Sequence, residues 1–360
     1  MTEYKIGDSR ITLDYGSGGL KTSELIESIL LPAFDNSALS RLGDGAVLPG
    51  SEKLVFSTDS FVVSPWRFPG GNIGSLSVCG TVNDICMAGG LPKYLSLSFI
   101  IEEGFSFSDF EEIVDSIAEE ARSCGVSVVT GDTKVVDAGK GDGIYINTAG
   151  IGFQRAALPG REAIRPGDAV LISGTVGCHG AAVMMARSGL LQPGSPLVSD
   201  CMPLHQVSAA ALDAAGMDAT GTYSADAGTD STGDTAPIRI LRDPTRGGVA
   251  TTLNEFTKGM PFSIELDETS LPADPAVEAA CDMLGLDPLY CACEGRMLVV
   301  CAPDAAEKIL AAVRNIPGGE NAAQIGTVTE DMPGKVLLRT PIGGRRILSK
   351  LSGIQLPRIC

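Results

Sequence analysis

The chain has 360 residues, 44% of them hydrophobic, with 27 Lys plus Arg against 44 Asp plus Glu and a net charge of −17 at pH 7. That length suits two domains, and the apolar fraction is enough for packed cores, which excludes global disorder. The acidic balance argues against nucleic-acid partners and against docking on anionic membranes.

Aromatic residues are few (5%) and glycines many (44), which favours α/β layering with tight turns. The first residues, MTEYKIGDSR, carry no apolar signal core. The longest apolar runs, such as Tyr94–Ile101, fall far short of the roughly 18 residues a membrane helix needs. Ten cysteines in mostly apolar settings fit reduced thiols, so a cytoplasmic location is expected. With no CxxC and only two histidines, the sequence argues against structural zinc.

In chain order, Leu20–Leu31 reads as a short amphipathic helix after a glycine-rich turn, and Leu54–Val63 as a strand. Asn72–Ala88 reads as a small-residue helix stopped by Gly89-Gly90, and Tyr94–Ile101 as a strand. Asp109–Ser123 has helical period, with Ser108 as candidate N-cap, and Val126–Val136 and Ile144–Phe153 are expected strands. The turn-rich stretch from Leu158 to Asp168 places the domain boundary. The second half begins with a strand at Ala169–Ser173 and a helix at His179–Ser188. Further helices are expected at Gln206–Ala215, Val249–Thr257 and Pro275–Leu284, and strands at Met297–Cys301 and Lys335–Leu338. The polar stretch between Ser195 and Thr235 reads as an insertion, and 342–360 as a flexible tail. The expected organisation is therefore 1–157, 158–341 and the tail, with mixed α and β in both domains.

Three common signatures are missing: no GxxxxGK[ST] loop, no GxGxxG opening a helix, no HExxH. What stands out is a series of aspartates in small, turn-prone or strand-end settings: Asp44, Asp59, Asp84, Asp132 and Asp243. Each alone reads as a turn former or cap. As a set they read as a Mg2+ site, because clustered carboxylates repel one another unless a cation neutralises them. Gly16, Ser17, Gly18 and Gly19 form a loop whose backbone N–H groups can approach a phosphate. His179 and His205 read as hydrogen-bonded core partners rather than ligands. Cys79, Cys86, Cys291 and Cys293 read as packing residues.

Several stretches together resemble the HypE hydrogenase-maturation family of the PurM-like (AIR synthetase-related) superfamily. They are Asp14–Gly19, Gly43–Ala46, Phe56–Ser60, Phe68–Gly74, Cys79–Asp84, Asp243–Gly248, Cys293–Arg296 and the closing Pro357-Arg358-Ile359-Cys360. The resemblance spans nearly the whole chain. It implies an α+β two-domain fold whose N-terminal sheets pair across a homodimer into a barrel. It implies ATP and Mg2+ as cofactors, with Asp44, Asp59, Asp84, Asp132 and Asp243 at the metal, Asn83 beside them and Gly16–Gly19 over the phosphates. Cys360 would carry a carbamoyl group delivered by the carbamoyltransferase HypF. ATP would phosphorylate its oxygen, and loss of phosphate would leave a thiocyanate. The cyanide would pass to iron on a HypC–HypD scaffold. Lys134 would face the modified cysteine and Glu294 would act as the base. No cysteine lies in the glycine-rich entry loop, which argues against a selenophosphate synthetase. Two alternatives stay open: a related enzyme, thiamine monophosphate kinase-like or AIR synthetase-like, with a small-molecule acceptor, and a non-catalytic nucleotide-binding scaffold.

Overall fold

The computed structural model describes residues 9–217, 236–351, 356 and 358–360. The polypeptide opens with α1 (Leu20–Leu25), a π turn and α2 (Leu31–Phe34), so the helix expected over 20–31 is interrupted at Ile26–Leu30 and continues to Phe34. Then come β1 (Leu54–Phe61), the short pair β2 (Arg67–Phe68) and β3 (Gly71–Asn72), and α3 (Ile73–Met87). β4 (Gly90–Glu102), α4 (Phe107–Ser123), β5 (Ser127–Val136) and β6 (Ile144–Gln154) complete the first half. The second half holds β7 (Ala169–Ile172), α5 (Cys178–Ser188), α6 (His205–Ala214), β8 (Ile238–Arg242), α7 (Gly248–Thr257), β9 (Ser263–Asp267) and α8 (Pro275–Leu284). It ends with β10 (Leu298–Cys301), α9 (Pro303–Arg314), β11 (Ala323–Thr329), β12 (Val336–Arg339) and β13 (Arg345–Leu348).

The first sheet has the order β1-β6-β4-β5 and the second β13-β12-β9-β11-β7-β10-β8. Alternation along β4 buries Leu95, Leu97, Phe99 and Ile101 under α3 and α4, while Ser96, Ser98 and Ile100 face away. α3 is buried on nearly every side. Its Gly80 lets the ring of Phe61 approach: a Cβ there would lie 2.9 Å from that ring. β7 and β10 are apolar without alternation because both faces of the second sheet are covered, by α9 on one side and α7 on the other.

α4 is capped by Ser106 rather than Ser108, since starting the helix at Phe107 buries that ring against Tyr15. The 342–360 segment is not wholly a flexible tail: β13 pairs antiparallel with β12, and Ile359 is buried. Of the stretch read as an insertion, 218–235 lies outside the described residues. No helix among the described residues is long and apolar enough to cross a membrane.

Candidate active site between the two domains

Two neighbouring elements of the first domain start the site. Alternation along β1 turns Ser57 and Asp59 toward α3 and Phe56, Thr58 and Ser60 away. On α3, Gly80 and Asp84 are four residues apart and share a face. Asp84 Oδ2 accepts a 2.6 Å hydrogen bond from Ser57 Oγ. The second domain supplies the loop between β8 and α7, with Asp243, Thr245 and Arg246, and the turn before β10, with Glu294. Asp59, Gly80 and Asp84 line one cavity of about 190 Å³ together with these second-domain groups and Cys360.

Burial dominates its electrostatics. The Asp243 carboxyl is pushed up to about 7 by burial first and then by Asp84; Asp59 also raises it. Asp59 is raised by burial, against the opposing Ser60 N–H and Arg246. Glu294, 2% exposed, is raised well above the carboxylate range by burial, then by Cys201 and by Asp243, Asp200 and Asp59, and its Oε1 has no hydrogen-bond partner. Burial likewise pushes the Cys360 thiol up, and Glu294 adds to the effect.

A buried group of carboxyls, several of them raised first by burial and then by one another, suits a cation and an anionic ligand arriving together. Among the described residues no three Asp, Glu, His or Cys side chains converge on a single metal position. Mg2+ does not need them to, since it takes one or two carboxylates and fills its shell with waters and substrate phosphates. The residues present therefore fit a Mg-nucleotide.

The sign of the Asp243 shift yields a prediction for the nucleotide-free protein. Its folded pKa lies above the unfolded 3.8, so this group lowers stability as pH rises from about 4 through 7. Asp243→Asn is expected to raise the melting temperature at pH 8 by roughly 3–8 °C, with the gain shrinking at pH 5. Thermal unfolding at both pH values checks it, and an equal gain at both contradicts it.

Other residues singled out in the sequence lie elsewhere. Asn83 is engaged with backbone: it donates to the carbonyls of Met202 and Glu294 and accepts from Leu204 N–H. Asp132 and Lys134 lie on the edge strand β5, exposed and paired at 2.6 Å, and Lys134 holds the Asp132 carboxyl below its usual range. They share the sheet face of Ser98 and Ile100, away from α3. Asp59 and Gly131 belong to one cross-strand row through Thr148 and Leu97, three strand spacings or about 14 Å apart. Gly16 packs against β5, where a Cβ would lie 2.3 Å from Val135 N. Gly16 and Gly18 line a second cavity of about 200 Å³ with Asp132 and Lys134. Asp44 is exposed in the loop before β1 and lines neither cavity.

The chain's end is docked rather than free. Val62 N–H donates to Cys360 O and Ser64 N–H to Arg358 O, while Arg358 Nε donates to Val62 O and its guanidinium pairs with Asp142. Backbone pairing with the segment after β1 thus seats Cys360 beside Asp59.

Two residues escaped the sequence reading. Asp200, in the stretch read as an insertion, accepts from Glu294 N–H at 3.0 Å and faces Arg296 at 3.5 Å. Arg246, from a motif read only for Asp243, lines the same cavity as Asp59, Asp84 and Asp243, and its charge acts on Asp59. All ten cysteines are free, and Cys79, Cys86, Cys291 and Cys293 are buried. His179 is hydrogen-bonded on both ring nitrogens as expected, whereas His205, the first residue of α6, has a buried Nδ1 with no hydrogen-bond partner.

Two interlocked α+β domains with a carboxylate-lined cleft between them define the class, and the family profiles agree. "AIR synthase related protein, N-terminal domain" matches residues 42–154 and "AIR synthase related protein, C-terminal domain" matches 165–338. A carbamoyl dehydratase HypE of Cupriavidus necator is 46% identical over 358 residues, covering 99% of this chain and 96% of that protein. The crystal structure of the hydrogenase maturation protein HypE in complex with ATP superimposes with TM-score 0.85 at 42% identity, covering 97% of this chain and 99% of that one. A chain of the crystal structure of a HypE–HypF complex matches with TM-score 0.73 at 41% identity, covering 91% of this chain and 99% of that one. This chain belongs to the carbamoyl dehydratase HypE family of AIR synthase related proteins.

Proposed function

We propose that the chain dehydrates a carbamoyl group carried on its own Cys360, at the expense of ATP, for [NiFe] hydrogenase maturation. The observation that carries this reading is Cys360 in the same cavity as Asp59, Asp84, Asp243 and Glu294. An amide oxygen is a poor leaving group. Phosphorylation of that oxygen, followed by loss of both N–H protons and of phosphate, leaves S–C≡N on the sulfur. Asp59, Asp84 and Asp243 would hold Mg2+, which would neutralise the phosphates when bound. Arg246 offsets the remaining negative charge, and the buried carboxyl of Glu294 exchanges the N–H protons. Cys360 lines the cavity that a small-molecule acceptor would have to enter, which disfavours a related kinase or synthetase.

Cys360 is only partly exposed when docked inside the cavity, so the tail leaves the cleft to be loaded. HypF is the proposed carbamoyl donor and a HypC–HypD scaffold the proposed cyanide acceptor, in the cytoplasm. We place Lys134, Asp132 and the Gly16–Gly19 loop in the site through a homodimer. Their strand is the far edge of the sheet from β1, at the same level as Asp59, and the sheet leaves Phe56 and Ile100 exposed. A second copy pairing its β5 edge with β1 would bring these groups to the cavity and cover that face.

Intact-mass spectrometry tests the reaction. Incubation with the carbamoyl donor system is expected to add one carbamoyl group to the chain, and Mg-ATP to remove one water from it. A mass unaffected by ATP would overturn the dehydratase reading.

A further inference from the structure

The backbone oxygens of Arg358, Ile359 and Cys360 are all gripped, and two of the grips come from one helix. Arg358 O accepts from Ser64 N–H and, at 2.6 Å, from Arg187 Nη2; Ile359 O accepts from His179 Nε2 at 2.8 Å; Cys360 O accepts from Val62 N–H. His179 and Arg187 both lie on α5. A carbonyl only accepts, so the Nε2 of His179 carries the proton and its Nδ1 accepts from Ser199 Oγ, 2.8 Å away. Ser199 is tied to the other domain through its N–H to Pro69 O, and Phe68 meets the imidazole edge-to-face at 5.1 Å. The ring is fully buried, and burial lowers its pKa, which keeps this neutral tautomer. Arg187 adds a second anchor to the same wall by donating to Ser64 O.

We propose that His179, assisted by Arg187, is the latch that seats the carboxyl-terminal tail and sets the depth of the Cys360 sulfur, a positioning role distinct from the chemistry in the cavity. The latch reads backbone carbonyls, so it holds the tail whether the sulfur is free or loaded. Releasing it leaves the Ile359 carbonyl buried without its donor, which shifts the tail outward. The significance of the latch rests on the reading of Cys360 as a carrier; its existence does not.

Alkylation of the full-length protein by iodoacetamide, without ATP or carbamoyl donor, separates the two questions. The readout is the rate of labelling of the C-terminal peptide, followed by mass spectrometry. His179→Phe keeps a ring of similar shape and removes the donor; it is expected to speed labelling of Cys360 at least fivefold, about the effect of one lost buried hydrogen bond. His179→Gln keeps an N–H within reach and is expected to label at close to the wild-type rate. Wild-type labelling of the folded Phe variant would overturn the proposal, as would equal acceleration in the Gln variant. If the Phe variant does not fold, Arg187→Gln on the half-exposed end of the latch gives the same test: acceleration supports the latch and an unchanged rate overturns it.

Discussion

Cys360→Ala is expected to abolish both carbamoyl acceptance and dehydration while leaving Mg-ATP binding within about twofold of wild type. The substitution removes only a sulfur atom. The backbone bond from Val62 N–H to Cys360 O and the buried Ile359 side chain hold the tail in either variant. The carboxylates of Asp59, Asp84 and Asp243 are untouched. Mass spectrometry reads the first effect and calorimetric titration with Mg-ATP the second. A carbamoyl group appearing on any of the nine remaining cysteines would sink the assignment of the carrier. Loss of nucleotide affinity would show instead that the thiol belongs to the nucleotide site.

The second large effect is expected at Glu294. Glu294→Gln preserves shape and hydrogen-bonding atoms but cannot exchange a proton, and is expected to slow dehydration at least 100-fold with carbamoylation unaffected. Its backbone N–H, held by Asp200, is unchanged, so the turn stays in place. Lys134→Ala is expected to be similarly impaired, and the two variants together test the proposed composite site. Protomers of Glu294→Gln and Lys134→Ala, mixed and allowed to exchange, rebuild one intact site per mixed dimer, about a quarter of wild-type activity at statistical exchange. No recovery in verified mixed dimers would place Lys134 outside the partner's site.

The first domain was legible because its elements are long and periodic. α3 and α4 follow helical period between clear stops, and β4, β5 and β6 are long enough to carry a strand signature. In the second domain β8, β9, β11, β13 and α9 went unread. β8 and β9 are five-residue strands and β13 has four. α9 buries Ala305, Ala306, Ile309, Leu310 and Val313, a correct i, i+3, i+4 spacing whose alanines blur the apolar stripe. β13 is mostly polar and exposed, and it is a strand because β12 offers an open edge.

The sequence alone determined the two mixed domains and singled out the aspartates and the closing cysteine as candidates, because period, composition and short motifs are local properties. Tertiary structure decided which of those residues share a cavity. It gathered Asp59, Asp84, Asp243, Glu294 and Cys360 from distant parts of the chain and left Asp132 and Lys134 on the opposite edge and face of the first sheet. It also turned an expected loose tail into a docked one. Convergence of that kind depends on strand order and on the packing of one domain against the other, and no local window of residues encodes either.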